Sequence, residues 1–275
     1  MIVDADPDAL AARDLLVAAA REAGALALKF FRRGAATSAR VKSKSGRSPV
    51  TEADLAADSL LRRRLGEVFP DAGWLSEETA DDFRRLARRS LVIVDPIDGT
   101  RAFVAGDPRW AVSAALVVDG RPVAGVVHAP ALDETYAAAR GAGAELNGVA
   151  LGASARADGS SLRAAGPKLV VQAMAARLGV ATDIAPRVPS LAYRLCMAAR
   201  GAIDFAVAAE NSHDWDIAAA DCLLELAGAR LVDAAGERPI YNGRLVRRGA
   251  LLAASEELAH RLLPAFRAAT GARSD

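Results

Sequence analysis

The chain has 275 residues, room for one large domain or two at roughly 150 residues each. Its composition, 52% hydrophobic and 25% charged, is that of a globular protein with a sizeable core. The formal net charge of +1 excludes a global field that recruits nucleic acid or an anionic membrane, and no apolar run approaches the roughly 18 residues of a membrane span.

The first ten residues, MIVDADPDAL, are acidic and lack the basic and apolar regions of a secretion signal, so a soluble cytoplasmic protein is expected. Cys196 and Cys222 have no metal-type spacing and sit in apolar segments, which predicts buried free thiols.

Leu15, Ala19, Ala23, Leu26 and Phe30 recur at spacings of three and four, which predicts a helix from Asp8 to Arg33 stopped by Gly34. The polar stretch Lys42 to Pro49 reads as a loop. A second helix is expected from Thr51 to Val68, opened by a capping box of Thr51 and Asp54. Trp74 to Ser76 reads as a short strand leading into Glu77 and Glu78. Leu91 to Val94 reads as a buried strand ending at Asp95. The segments Ala111 to Val118 and Pro122 to His128 flank Asp119-Gly120 as a hairpin, and a further strand and turn run through Tyr136 and Gly141 to Gly143.

After a soft boundary at Gly148 to Gly159 the pattern changes. Strand candidates at Leu169 to Val171, Ile203 to Val207, Arg230 to Val232 and Ala250 to Ala253 alternate with helices at Leu191 to Arg200, Asp216 to Leu226 and Glu256 to Ala268. The expectation is an α+β half, residues 1–150, carrying Asp54, Glu77 and the Asp95–Thr100 motif, followed by an α/β half, residues 151–275, carrying Asp216.

Four acidic spots lie at element edges, where side chains from separate elements converge. In Asp95-Pro96-Ile97-Asp98-Gly99-Thr100 a buried strand delivers Asp95 and Pro96 keeps its backbone extended. Asp98 can face the same ion, with the Ile97 carbonyl between them, and hard cations such as Mg²⁺ take oxygen ligands of this kind. Gly99 allows close approach of a phosphate, which the N–H groups of a following helical turn would receive. Glu77-Glu78, Asp54 and Asp214-Trp215-Asp216 are the other spots. Singly, each has a structural reading: a solvated pair, a capping carboxylate and an N-cap.

Together these residues resemble the inositol monophosphatase family of lithium-sensitive, metal-dependent phosphatases. Asp95-Pro96-Ile97-Asp98-Gly99-Thr100 followed by Arg101-Ala102-Phe103 looks like its first signature, and Trp215-Asp216-Ile217-Ala218-Ala219-Ala220 like its second. Thr51-x-x-Asp54 and Ser76-Glu77-Glu78 stand where that family keeps an early Thr-x-x-Asp segment and a metal-binding glutamate. Ala220, where glycine is usual, and Asn211-Ser212-His213, a poor match to the inositol-binding loop, are departures.

The resemblance implies a layered α-β-α-β-α sandwich, usually a homodimer. It implies two or three Mg²⁺ per site, held by Glu77, Asp95, the Ile97 carbonyl, Asp98 and Asp216, and inhibition by Li⁺. Glu77 and Thr100 would orient the attacking water, with Asp54 supporting Thr100 and the Gly99 and Thr100 amides holding phosphate.

The expected substrate is a small phosphorylated metabolite. Leu75 to Glu78, the basic Arg101 and Val126 to Pro130 lean toward the 3'(2'),5'-bisphosphate nucleotidases, which act on adenosine 3',5'-bisphosphate in sulfur metabolism. Arg101 then pairs with a second phosphate, or is a plain surface charge. His213 and Asp214 are pocket candidates, with a structural histidine as the alternative. Inositol 1-phosphatase is the runner-up, followed by histidinol or sugar phosphatase. A non-enzymatic phospholigand-binding relative is the rival outside catalysis. A haloacid-dehalogenase-type mechanism fails because Pro96 stands where its nucleophile belongs. A P-loop enzyme fails for want of its Gly-Lys motif.

Overall fold

Three apolar layers, each gathered from residues of alternating orientation, organise the chain. The computed structural model describes residues 8–43, 49–153 and 161–271. In chain order the elements are α1 (Ala9–Leu28), β1 (Val41–Ser43), β2 (Pro49–Thr51), α2 (Glu52–Val68), β3 (Gly73–Ser76), β4 (Ser90–Asp98) and α3 (Thr100–Ala105). Next come β5 (Ala111–Val118), β6 (Arg121–Ala129), β7 (Glu134–Ala139), β8 (Gly143–Leu146), β9 (Val149–Ala150), β10 (Leu162–Ala165) and α4 (Lys168–Leu178). The last are β11 (Thr182–Ile184), α5 (Leu191–Ala199), β12 (Phe205–Ala208), α6 (Asp214–Leu226), β13 (Ala229–Val232), β14 (Leu251–Ser255) and α7 (Glu256–Thr270).

β3 to β9 form a seven-stranded sheet in sequence order, antiparallel except for the parallel β3–β4 pair. A five-stranded mixed sheet has the order β11-β10-β12-β14-β13. The pleat sends alternate residues to opposite faces. Val92 and Val94 of β4 pack with Leu16 of α1 and Leu61 of α2 on one side. Leu91 and Ile93 pack with α5 and α6 on the other, and that middle core also takes Ala206 and Leu251 from the second sheet. The far face of the second sheet, including Phe205 and Leu252, is covered by Val171 of α4 and Phe266 of α7. The result is the expected α-β-α-β-α sandwich.

One glycine of the larger sheet has a steric role. A Cβ at Gly125 of β6 would lie 2.8 Å from the Ala219 carbonyl oxygen, so glycine there lets α6 settle against the sheet. The same helix carries Asp216 in its first turn.

Several expectations need correction. α1 ends at Leu28 and buries Leu16, leaving Leu15 40% exposed: alanines carry most of the buried face, so the large residues alone mark its orientation poorly. Leu169 to Val171 lies in α4, because a short apolar run does not distinguish strand from helix. β4 does not stop at Asp95 but continues to Asp98 through a register irregularity against β5. The loop read at 42–49 has strand at both ends, β1 and β2 pairing with each other, while 44–48 lies outside the described residues. Cys196 and Cys222 are free and buried, as expected.

Candidate active site

The acidic residues of the site are delivered by three separate elements. Glu77 follows the last residue of β3, and Asp95 and Asp98 stand on the irregular end of β4 beside it. Gly99, at φ 89°, adopts the left-handed conformation that glycine tolerates and turns the chain into α3, which begins at Thr100. Asp216 approaches from the first turn of α6. Glu77, Asp95, Asp98, Gly99, Thr100, Arg101, Arg187, Pro189 and Asp216 line one cavity of about 210 Å³.

Carboxylate oxygens of Asp95, Asp98 and Asp216 come within 4.8 Å of one another. Asp95 accepts the Ile97 N–H at 3.0 Å. Asp98 accepts the Ser190 hydroxyl at 2.5 Å and the Ala192 N–H at 2.6 Å. Neither Asp95 nor Asp98 has an arginine or lysine within ion-pair distance among the described residues. Burial first, and then the neighbouring charge of Glu77, Asp98 and Asp216, pushes the Asp95 carboxyl well above the usual range. Asp98 moves the same way, through burial and the Asp216 charge. A set of hard oxygen donors that repel one another and lack a cation fits Mg²⁺.

Behind the cavity, Asp54 of α2 closes the capping box with Thr51, accepting its N–H at 2.8 Å and its hydroxyl at 2.6 Å. The other Asp54 oxygen lies 3.1 Å from the Thr100 hydroxyl, which is also 3.1 Å from the Ile97 carbonyl. The single Thr100 proton is therefore taken up by one of these two acceptors. Burial raises the Asp54 carboxyl, while the bonds from Thr51 and Thr100 pull it back down.

The remaining candidates are placed differently. Arg101 lies on the exposed face of α3 and lines the cavity. His213 stacks on Trp215 at 4.6 Å, and its backbone N–H donates to Asp216 at 2.7 Å, so Asp216 closes the helix start from its third position and is not an N-cap. Asp214 is fully buried and binds Arg248 at 2.6 Å, so this side chain does not face the cavity.

Sequence reasoning missed Ser190, although a serine before a predicted helix is a recognisable cap. Ser190 accepts the Tyr193 N–H at 3.0 Å while donating to Asp98. Arg187 was missed too, since nothing local marks it as facing an acidic motif so distant in sequence.

The model of the inositol monophosphatase family matches residues 10–270. A histidinol-phosphatase of Mycobacterium tuberculosis is 37% identical over 225 residues, 78% of this chain and 85% of that protein. One from Chlorobaculum parvum is 44% identical over 142 residues, a match spanning 52% of this chain and about half of its own length, 53%. The solved structure of an inositol monophosphatase (IMPase) from Thermotoga maritima superposes with a TM-score of 0.80 at 27% identity, covering 94% of this chain and 97% of that one. With a family model matched along nearly its whole length, the chain belongs to the inositol monophosphatase family.

Proposed function

We propose that the chain is a Mg²⁺-dependent phosphomonoesterase that hydrolyses a small phosphate ester by attack of water. The observation that carries this reading is the convergence of Glu77, Asp95, Asp98 and Asp216 on the cavity that Thr100 and Gly99 also line. Bound Mg²⁺ would lower the pKa of a water and neutralise charge on the phosphate and the leaving oxygen. Asp95, Asp98, Asp216 and the Ile97 carbonyl would hold it, with Glu77 at the cavity wall. Thr100, its proton engaged by Asp54 or Ile97, presents a lone pair that would accept a hydrogen bond from the attacking water, and Glu77 would orient the same water. The Gly99 and Thr100 amides receive the phosphate.

For the substrate, charge complementarity supports a molecule with a second anionic group, such as adenosine 3',5'-bisphosphate. Arg101 and Arg187 both line the cavity, and no carboxylate of the described residues pairs with either. A guanidinium beside the reacting phosphate suits a second phosphate. A second reading, histidinol phosphate, is favoured by the names of the two bacterial relatives. Its ammonium group would have to avoid the two arginines.

Initial rates with Mg²⁺ on adenosine 3',5'-bisphosphate, histidinol phosphate, inositol 1-phosphate and fructose 1,6-bisphosphate test both levels. No phosphate release from any of them counts against catalysis. Preference for histidinol phosphate, unchanged in Arg187→Ala, overturns the two-anion reading.

A further inference from the structure

Helix α2 carries a second buried carboxylate, Asp58, one turn beyond Asp54 on the same face. Asp58 does not line the cavity, yet both its oxygens are engaged. Oδ1 accepts the Ser76 hydroxyl at 2.5 Å, and Oδ2 accepts the Thr79 hydroxyl at 2.8 Å. Ser76 Oγ in turn accepts the Glu78 N–H at 3.2 Å. The two residues gripped by Asp58 therefore bracket Glu77 in the chain.

The grip matters because the sheet ladder ends where this segment begins. β3 is a four-residue strand that, among the described residues, pairs only with β4, and its last registered pair is Ser76 with Val94. Glu77 lies just beyond that last rung, half-buried at the cavity wall. Backbone beyond the end of a ladder keeps considerable freedom, and a carboxylate with a separate hydroxyl on each oxygen removes it at two points.

We propose that Asp58 is a positioning residue for Glu77: by clamping Ser76 and Thr79 it holds the Glu77 carboxylate toward the cavity and thereby sets the affinity of the site for its divalent cation. Asp54 and Asp58 then divide the support of the cavity between them, Asp54 fixing Thr100 and Asp58 fixing the segment that presents Glu77. The inference rests on the reading of the cavity as a Mg²⁺ site.

The test is Mg²⁺ titration of the full-length protein, read by thermal unfolding and by phosphate release from the best substrate. Asp58→Ala should raise the Mg²⁺ concentration for half-maximal effect by about tenfold or more in both readouts, the usual scale for losing support behind a ligand. The substrate KM at saturating Mg²⁺ should stay near the wild-type value. Asp58→Asn keeps one acceptor oxygen and should recover most of the affinity. Thr79→Val removes one clamp at an exposed position, so it serves if Asp58→Ala fails to fold, and a smaller rise of about threefold is expected. Wild-type Mg²⁺ titration in Asp58→Ala and Thr79→Val, with only the metal-free melting temperature lowered, would show a mere tether between α2 and β3 and overturn the proposal alone. No Mg²⁺ response in the wild-type protein would overturn the metal reading and this inference with it.

Discussion

The molecule treats its buried carboxylates in two ways. At three sites away from the cavity the buried carboxylate is matched to an arginine. Asp204 meets Arg163 at 2.9 Å, Asp214 meets Arg248 at 2.6 Å, and Asp221 has Arg238 at 3.7 Å and the Tyr241 hydroxyl at 3.0 Å. At the cavity Asp95 and Asp98 are also buried but, among the described residues, receive only hydroxyl and backbone N–H donors, beside further carboxylates. Burying a charge without a counter-charge is costly, so the two sets cannot serve the same purpose. The paired set meets its counter-charge inside the fold. The other set stores repulsion that a cation from outside would relieve.

The largest effects should separate the sets by swapping activity for stability. Asp95→Asn or Asp98→Asn should lower kcat/KM for phosphate release on the order of 10³-fold, about 4 kcal/mol of barrier. The metal-free protein should unfold at an equal or higher denaturant concentration, because a repelled buried charge has gone. Asp204→Asn should behave in the opposite sense. It leaves Arg163 without its partner and should cost about 3 kcal/mol of stability, with turnover per folded molecule unchanged. Activity loss in Asp204→Asn, or marked destabilisation of metal-free Asp98→Asn, would erase the distinction.

A smaller effect sharpens the claim that the missing charge comes from solution. A ligand that binds only the folded state stabilises it by about 2.7 kcal/mol at a hundredfold excess over its Kd. Mg²⁺ should do this for the wild-type protein and for Asp204→Asn, and chelation should reverse it. Asp95→Asn should show little of the gain. Chemical denaturation at graded Mg²⁺ measures all three.

His128 shows a third treatment of burial, in which the group gives up its charge. Its ring packs against Gly24, with Nδ1 3.0 Å from the Thr135 hydroxyl. Burial, helped by the Arg21 charge, lowers the histidine to about 4, against about 6.5 in an unfolded chain. Between those values the unfolded chain binds a proton that the folded one refuses. Stability from neutral His128 is therefore complete above pH ~6.5 and drains away as the pH falls toward 4. Asp221, raised by burial to about 6, works in the opposite direction: its contribution is full below ~3.8 and is lost as the pH rises through 6. Comparing the wild type with His128→Gln cancels the Asp221 effect. From pH 7 to pH 5 the stability advantage of the wild type should shrink by about 2 kcal/mol, measured by urea denaturation. A constant difference would mean that the imidazole is charged inside the fold.

How much of this was legible in the sequence depended on whether the signal was local. The capping box of Thr51 and Asp54, the Asp119-Gly120 hairpin and the strand ending in the Asp95 motif are each written within a few neighbouring residues, and the acidic candidates followed from them. Burial partners are not written locally. Asp214 and Asp216 read alike in sequence, yet one faces Arg248 and the other the cavity, because positions two apart on a helix are turned about 200° from each other. Likewise, nothing near Asp58 announces Ser76 and Thr79. The second sheet was read least well: β10 and β11 are short and weakly patterned, and α4 begins with the apolar run Leu169 to Val171 that mimics a strand.

Ser190 offers the finest test of the contrast between the two sets. As the N-cap of α5 it accepts the Tyr193 N–H, and its own proton goes to Asp98. It therefore does with a neutral dipole part of what Arg163 does for Asp204, steadying a carboxylate without cancelling its charge. Ser190→Ala should cost about 1 kcal/mol, the usual value of a helix cap, because the Ala192 N–H still holds Asp98 at 2.6 Å. The Mg²⁺ titration should shift by less than about tenfold, since the support behind the ligand is thinned but not removed. A stability loss near the ~3 kcal/mol expected for Asp204→Asn would mean that Asp98 is neutralised within the fold by its own hydrogen bonds. The cavity would then have no charge left for a cation to satisfy, and the two sets of carboxylates would be one.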